Sequence, residues 1–529
     1  MSGRLAIDFG TSNTVLAVWD PQLNDGVTVH IPEFSRVYHQ ENEAISMIPS
    51  LIHYTEDNRR WIGEQVVQHG LYHSKRTFRW MKRYITQRSP IKVKLEDREI
   101  PPFSAGRDFL TSLFLFATNE LNIKGEEIGL SVPVEAFEHY EEWLSSVAEA
   151  AGMLRFRLID EPSAAALGYG AHIQPGHVYL IFDFGGGTMH AAVVLMETEE
   201  NTVSGRRCRV LGKAGKYIGG ASIDQWIFAE VLKRNGHRDY EESVRKISNA
   251  LLVECERAKE SLSGAEEASL ILKEPESGLE LTADLTQSKF EELLDEHDLF
   301  AEINRTIRSA LNAARERGYD EDCIKAVLMV GGSSSIPSVQ RTVRQIFGSE
   351  RVLYHRPLDA VARGTAAFVA GVDFYDHIQH DYAIRFVNPK TGSYDYKVII
   401  KRGTPYPTEQ PMSRLTVKAS FDGQKQLGIA IFEMSEQQPT SNSGMELIFD
   451  PSGAARMMQV TPQEQEDRRL FWMNEQNPTF LPAEPPGKQG EARFAMEFGV
   501  DSNKRLIVTA RDLINGVLTL ANVPVVRLI

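Results

Sequence analysis

Apolar and polar positions follow two regimes along this chain. Up to about Gly371, short apolar runs alternate with stretches in which apolar residues return at three- and four-residue spacing; beyond it, single alternation dominates. The first regime predicts strands at Val15–Trp19, Gly129–Pro133, Ala191–Met196 and Ala326–Val330. It predicts helices at Glu135–Ala151 (ended by Gly152) and Val244–Leu262, and a tightly packing small-residue helix at Asp359–Ala367. Phe109–Ala117 is apolar but short and interrupted, which fits a core helix rather than a membrane span. The second regime, at Tyr396–Lys401, Leu415–Lys418 and Leu427–Phe432, predicts strands separated by Pro and Gly turns. A final hairpin is expected from Phe494–Val500 and Leu506–Ala510, turning at Asp501-Ser502-Asn503. These read as a β-sandwich of one domain, with the Pro-, Gln- and Glu-rich stretch 451–490 as a long surface insertion.

One local pattern occurs twice. Ile7-Asp8-Phe9-Gly10-Thr11-Ser12-Asn13-Thr14 and Ile181-Phe182-Asp183-Phe184-Gly185-Gly186-Gly187-Thr188 each place an Asp near the end of an apolar strand and then a glycine turn bearing hydroxyls. Glycines let backbone N–H groups approach an anion closely, hydroxyls add neutral donors, and a carboxylate can hold a hydrated magnesium ion. A single copy is also ordinary turn chemistry. Two copies in the same order suggest a duplicated domain gripping one polyphosphate between its halves. Gly331-Gly332-Ser333 follows another apolar strand, and Gly219-Gly220 opens a further helix, so both supply close-approach turns. No Gly-x-x-x-x-Gly-Lys-Ser/Thr is present, which excludes the ordinary P-loop.

With 529 residues the chain exceeds one core, and length alone suggests three or four compact units. Its net charge of -14, with 42% hydrophobic and 25% charged residues, argues against general binding of nucleic acid or anionic membranes. A basic run from Lys75 to Arg88 departs from that trend. Phe78, Met81 and Ile85 recur there at helical spacing, so a solvated basic face is the default, while a lysine meeting a terminal phosphate is the alternative. The three cysteines, Cys208, Cys255 and Cys323, lack metal-ligand spacing, which fits a reducing compartment. With no apolar leader before Asp8, the expectation is a cytoplasmic protein. Glu161, between Asp160 and Pro162, is either a helix-cap acid or a group that orients a water.

Taken together, Ile7–Asn13, Met81–Ile85, Val132-Pro133, Ile159–Ala166, Ile181–Thr188, Glu256–Lys259 and Val330–Ser333 resemble the seventy-kilodalton heat-shock protein chaperones, and the similarity extends over nearly the whole chain. The resemblance implies an α/β fold class: an actin-like, duplicated ribonuclease-H-like ATPase domain at 1–372, a linker at 373–380, and an all-β sandwich substrate-binding domain at 381–529 without a helical lid. It implies ATP and Mg2+ as cofactors. Gly10, Thr11, Ser12, Asn13, Gly185, Gly186, Gly187 and Thr188 would bind phosphates, with Asp8 and Asp183 around the metal and its waters. Lys82 would act beside the γ-phosphate, with Glu161 and Thr188 placing the attacking water. Glu256, Lys259 and Ser263 would hold ribose and adenine, with Gly219, Gly220, Gly331, Gly332 and Ser333 closing the site. Pro133 would relay to the second domain, and Arg157 would receive a J-domain co-chaperone; a nucleotide exchange factor is a further expected partner. Ile384, Phe386, Val387, Leu427 and Ile429 would line a groove for an extended apolar peptide from an unfolded or client polypeptide, or are simply sandwich core.

Several positions depart from the family pattern. His190 stands where the family has an Asp that helps bind a monovalent cation, which leaves potassium open. Ser335 replaces an Arg that stacks on adenine, Glu260 replaces a basic neighbour of the base, and the 373–380 linker is unusually polar. Two functions follow: an ATP-hydrolysing chaperone, or a nucleotide-gated assembly module with weak or no hydrolysis dedicated to one partner. A sugar kinase on the same fold gives no account of the β domain.

Overall fold

The computed structural model describes residues 4–528 apart from 41–42, 58, 96–97, 124, 134–137, 154, 171–173, 197–205, 275–277, 372, 376–377, 379, 388–392, 409, 435–444, 450–454, 460–469, 476–477 and 502–503. The chain divides into two compact units rather than three or four, the first mainly Met1–Tyr375 with Thr440–Val460 and the second mainly the remainder after Tyr375. Length overestimates the number because two similar halves within the first unit share one body.

Those halves are visible in the sheets. In one, Leu5–Phe9 pairs antiparallel with Asn13–Asp20 on one side and parallel with Ile128–Val132 on the other, and Phe156–Asp160 follows in parallel. In the other, Val178–Phe184 pairs antiparallel with Met189–Met196 and parallel with Ile324–Val330, and Val352–Leu353 follows in parallel. Strand order and direction therefore repeat, and both glycine turns are hairpin turns at equivalent places. The second central strand is buried at all seven positions, as expected of a strand covered on both faces.

Helices Glu161–Gly168 and Ala360–Val369 pack against each other with every residue buried. Their small residues are a geometric requirement. A Cβ added at Gly364 would stand 1.7 Å from the Ala164 carbonyl oxygen, and one at Gly168 would stand 1.8 Å from that of Ala360. The apolar Phe109–Ala117 stretch lies inside a longer helix, Pro102–Glu120, with Phe109, Leu110, Leu113 and Phe114 in the core. Among the described residues no helix is long and apolar enough to cross a membrane. The first residues of the expected linker, Asp373–Tyr375, pair in parallel with Arg206–Lys216 as the outer strand of the second sheet. The rest of that expected linker falls largely outside the described residues.

From Asp381 onward the regular elements described in the second unit are all strands. One sheet runs Tyr394–Ile400, Asp381–Val387, Ile431–Met434, Leu470–Trp472; another runs Ser413–Lys418, Ala492–Val500, Arg505–Asp512, Leu518–Arg527. The expected final hairpin is present, with Val500 opposite Leu506. Part of 451–490 departs from a surface insertion. Thr479–Gly487 is a strand paired with Gln424–Ile429, and its Leu481 and Ala483 are buried in the unit's core. The run Pro482-Ala483-Glu484-Pro485-Pro486 conceals this strand, because proline suppresses the usual strand signature.

Candidate functional site

The two glycine turns face each other. A Cβ at Gly186 would lie 2.5 Å from Ser12 Oγ, and one at Gly187 would lie 2.4 Å from Thr11 Oγ1. Each turn is tied to its own half. Ser50 Oγ donates to the Gly10 carbonyl (2.8 Å) and shares a 2.9 Å hydrogen bond with Thr14 Oγ1. In the other half, the Gly185 N–H donates to the Thr188 carbonyl (3.0 Å), and the N–H groups of Gly220 and Ala221 donate to the Gly185 and Gly186 carbonyls. Gly331, at φ 83°, is required: a Cβ there would meet the Phe184 carbonyl oxygen at 2.3 Å and Asp183 Oδ1 at 2.6 Å. Ser333 Oγ donates to the Gly185 carbonyl at 2.9 Å. Gly219 caps the next helix against the Gly186–Gly187 backbone.

These turns line a cleft of about 390 Å³, within the range of small-molecule sites. Asn13, Lys82, Glu161, Asp183, Thr188 and Gly332 reach it, as do Glu256, Lys259 and Ser263 on the far wall. Asp8 ends the first central strand and Asp183 the second. Lys82 corrects the default reading of the basic run. The helix Met81–Thr86 is buried throughout, and Lys82 Nζ donates to Glu161 Oε1 in an enclosed ion pair. Nor is Glu161 the cap acid: Asp160 caps the helix by accepting from Ser163 N at 2.9 Å, and Asp160 is itself paired with Lys213.

Electrostatically the floor of the cleft carries uncompensated acid. Burial, the negative Glu161 and Asp8 raise Asp183 well above the ordinary carboxylate value, against the pull of Lys82. Asp8, one face open to the cleft, is pushed up to about 6, chiefly by burial and opposed by Lys82 and by the Ser131 hydroxyl 2.6 Å away. Neither aspartate has an ion-pair partner among the described residues. A dication fits this donor set, with Asp8 and Asp183 as the carboxylates that would hold Mg2+ and its waters. When bound, it would neutralise charge on a polyphosphate.

Of the expected ribose and adenine residues, Glu256 and Lys259 are buried along the helix Glu242–Leu262. Glu256 accepts from Tyr72 Oη (2.6 Å) and Arg79 Nη2 (2.6 Å), and Lys259 Nζ pairs with Asp224 at 2.8 Å. Burial raises Asp224 to about 7, although Lys259 opposes the rise. Ser335, at the Arg position of the family pattern, hydrogen-bonds the Tyr354 hydroxyl. Tyr72, Arg79, Asp224 and Ser131 escaped sequence reasoning, since their partners lie far along the chain and leave no local signal.

A protein-family model described as "Hsp70 protein" matches residues 91–454, well over half of the chain. The chain belongs to the Hsp70 family. Its relatives include the chaperone protein DnaK of Deinococcus deserti, 26% identical over 551 aligned positions that cover 98% of this chain and 78% of that protein. The DnaK of Deinococcus proteolyticus is 26% identical over 553 positions with the same coverage. The fold class is accordingly α/β, an actin-like ATPase fold with an all-β sandwich, and the family binds ATP with Mg2+.

Other expected Hsp70 positions lie away from the cleft. Arg157 stacks on the Phe368 ring at 3.8 Å and donates to its carbonyl. Pro133 is buried at the end of the Ile128–Val132 strand. In the β unit, Ile384, Leu427 and Ile429 are buried in the core, whereas Phe386 and Val387 are 41% and 58% exposed. Three of the five groove candidates thus occupy positions that alternation assigns equally well to core. His190 is wholly buried, directly opposite Asp183 in the strand pair. Burial and the nearby Lys82 depress it to about 3, so it is a neutral imidazole.

Proposed function

We propose that this protein is an ATP-dependent chaperone that hydrolyses ATP to control its hold on unfolded or client polypeptide. The observation carrying this reading is the contact of two glycine turns above Asp8, Asp183 and the Lys82–Glu161 pair. In it, the turns receive the phosphates, Lys82 offsets charge growing at the terminal phosphate, and Glu161 and Thr188 orient the attacking water. Glu256, Lys259 and Ser263 hold the ribose and adenine. Partners on this reading are a J-domain co-chaperone, received near Arg157, and a nucleotide exchange factor, in the cytoplasm. Pro133 relays the nucleotide state to the β domain.

A second reading rests on His190. A neutral imidazole replaces an expected acid beside the phosphate site, which favours a nucleotide-gated assembly module with slow or no hydrolysis, dedicated to one partner. Single-turnover ATP hydrolysis separates the two, comparing the native chain with Lys82→Ala, with and without a J-domain protein. The enzyme reading expects a fall of at least about a hundredfold, the scale for removing one electrostatic stabiliser. A native rate no higher than that of Lys82→Ala leaves only the gated module.

A further inference from the structure

Asp183 and His190 are direct cross-strand partners, so their side chains emerge side by side on one face of the second sheet. Glu161, the first residue of its helix, meets them there with the oxygen that Lys82 does not use: Glu161 Oε2 lies 3.8 Å from His190 Nδ1. One ligand atom from each residue lies within 4.8 Å of the other two, and all three residues are buried. Among the described residues neither ring nitrogen of the imidazole has a hydrogen-bond partner. A wholly buried polar ring without a partner is costly unless something else engages it.

We propose that Asp183, Glu161 and His190 form an inner-sphere site for a divalent transition-metal ion of borderline softness, such as Mn2+, Co2+ or Zn2+. Ligand atoms around such an ion stand about 3–3.5 Å apart, so side-chain shifts of a fraction of an ångström complete the site. Charge favours a dication. Among the described residues, the surrounding acids Asp8, Asp160, Glu161 and Asp183 are balanced by Lys82 and Lys213. Two oxygens and one imidazole nitrogen select against Mg2+ and Ca2+, which prefer oxygen donors alone. The second ring nitrogen lacks an acceptor to steady the imidazole, so the affinity is modest. Asp183 and Glu161 also serve the proposed nucleotide site, but this metal site requires no phosphate and can be tested without nucleotide.

The test is a Co2+ titration of the full chain, free of nucleotide, followed by visible d–d absorption. The expected result is one ion per chain in a mixed nitrogen and oxygen field, displaced by Mg2+ only at roughly a hundredfold excess. His190→Asn and Glu161→Gln should each weaken binding at least about tenfold. A spectrum unchanged from aqueous Co2+, or equal affinity in folded His190→Asn, overturns the proposal. Should His190→Asn not fold, pulsed EPR of Mn2+ on the native chain decides directly: imidazole-nitrogen coupling supports the site and its absence overturns it. The titration contains no nucleotide and reads only the metal's own spectrum, so its outcome does not depend on whether the chain hydrolyses ATP, and the two proposals fail separately.

Discussion

Replacing Gly364 by Ala pits two effects of opposite sign against each other. In an ordinary helix interior the change stabilises by about 1 kcal/mol, because alanine loses less backbone freedom on folding. Here the new methyl would lie 1.7 Å from the Ala164 carbonyl oxygen and 2.6 Å from Gly168 N, both backbone atoms that no rotamer can move. Restoring contact at about 3.5 Å drives the two helices apart by roughly 2 Å. Both helices are buried along their whole length, so that gap removes dispersion contacts down the interface as well as straining the clash point. Overpacking costs about 1–3 kcal/mol and occasionally more. This site belongs at the top of that range or beyond, since neither partner can yield, which leaves a net loss of about 2 kcal/mol or more. Urea unfolding followed by circular dichroism should show a lowered midpoint at unchanged slope. Gly264→Ala, whose Cβ would meet nothing within 4 Å, is the control and should be neutral or stabilising. Because Glu161 opens the displaced helix, ATP affinity should fall in Gly364→Ala and hold in the control. A midpoint equal to or above the native one would refute the close-packing argument.

Arg493 is fully buried and bonds Asp512 through Nη2 at 2.6 Å and Nε at 3.2 Å. Arg493→Ala strands a buried carboxylate and should cost the β unit about 3–5 kcal/mol in urea unfolding, a loss under about 1 kcal/mol contradicting it. His53 is held below the ordinary imidazole value by burial and then by Arg76, so its folded state favours the neutral ring. Its contribution is therefore complete above the unfolded value of about 6.5 and is lost as pH falls below it. His53→Asn should flatten the decline of stability on acidification, and an unchanged slope would count against that assignment. Val387, 58% exposed at the end of its strand, should matter to an apolar peptide ligand. Val387→Asp is expected to weaken binding of an apolar heptapeptide about tenfold, or 1.4 kcal/mol, by fluorescence anisotropy, and unchanged affinity removes Val387 from the groove.

What the sequence reveals follows from how local each determinant is. The glycine turns, the all-β second unit and the small-residue helix are legible because their causes lie within a few positions of each other: a strand, an acid, then residues without Cβ. The fate of the charges is not. Arg79 reads as solvated surface from its neighbours, yet it is buried against Glu256, 177 residues away. Lys82 behaves alike toward Glu161, and Asp160 toward Lys213. Burying a charge depends on a partner that tertiary packing brings, so helical periodicity predicts the backbone and misplaces the side chain. The strand Thr479–Gly487 was hidden for a different reason, since its prolines suppress every local strand signal.

The duplicated sheets explain why neither turn could act alone. Each aspartate sits at the same place in its own half, at the end of a central strand beside a hairpin turn. The second turn omits Cβ atoms where hydroxyls of the first approach: Gly186 faces Ser12, and Gly187 faces Thr11. The proposed anion site would therefore be a property of the spacing between halves. A displacement of one sheet relative to the other by even an ångström changes which N–H groups converge and how closely the two carboxylates approach. Burial raises the protonation affinity of both aspartates, and the charge on Glu161 adds to each, so the acids disfavour a closed site without a cation. On the proposed reading, a dication would cancel the carboxylates and a polyphosphate would bridge the two sets of donors. On the proposed function, ligand binding and closure of the halves would be one equilibrium, biased by differential contact with the closed form, as a nucleotide switch requires.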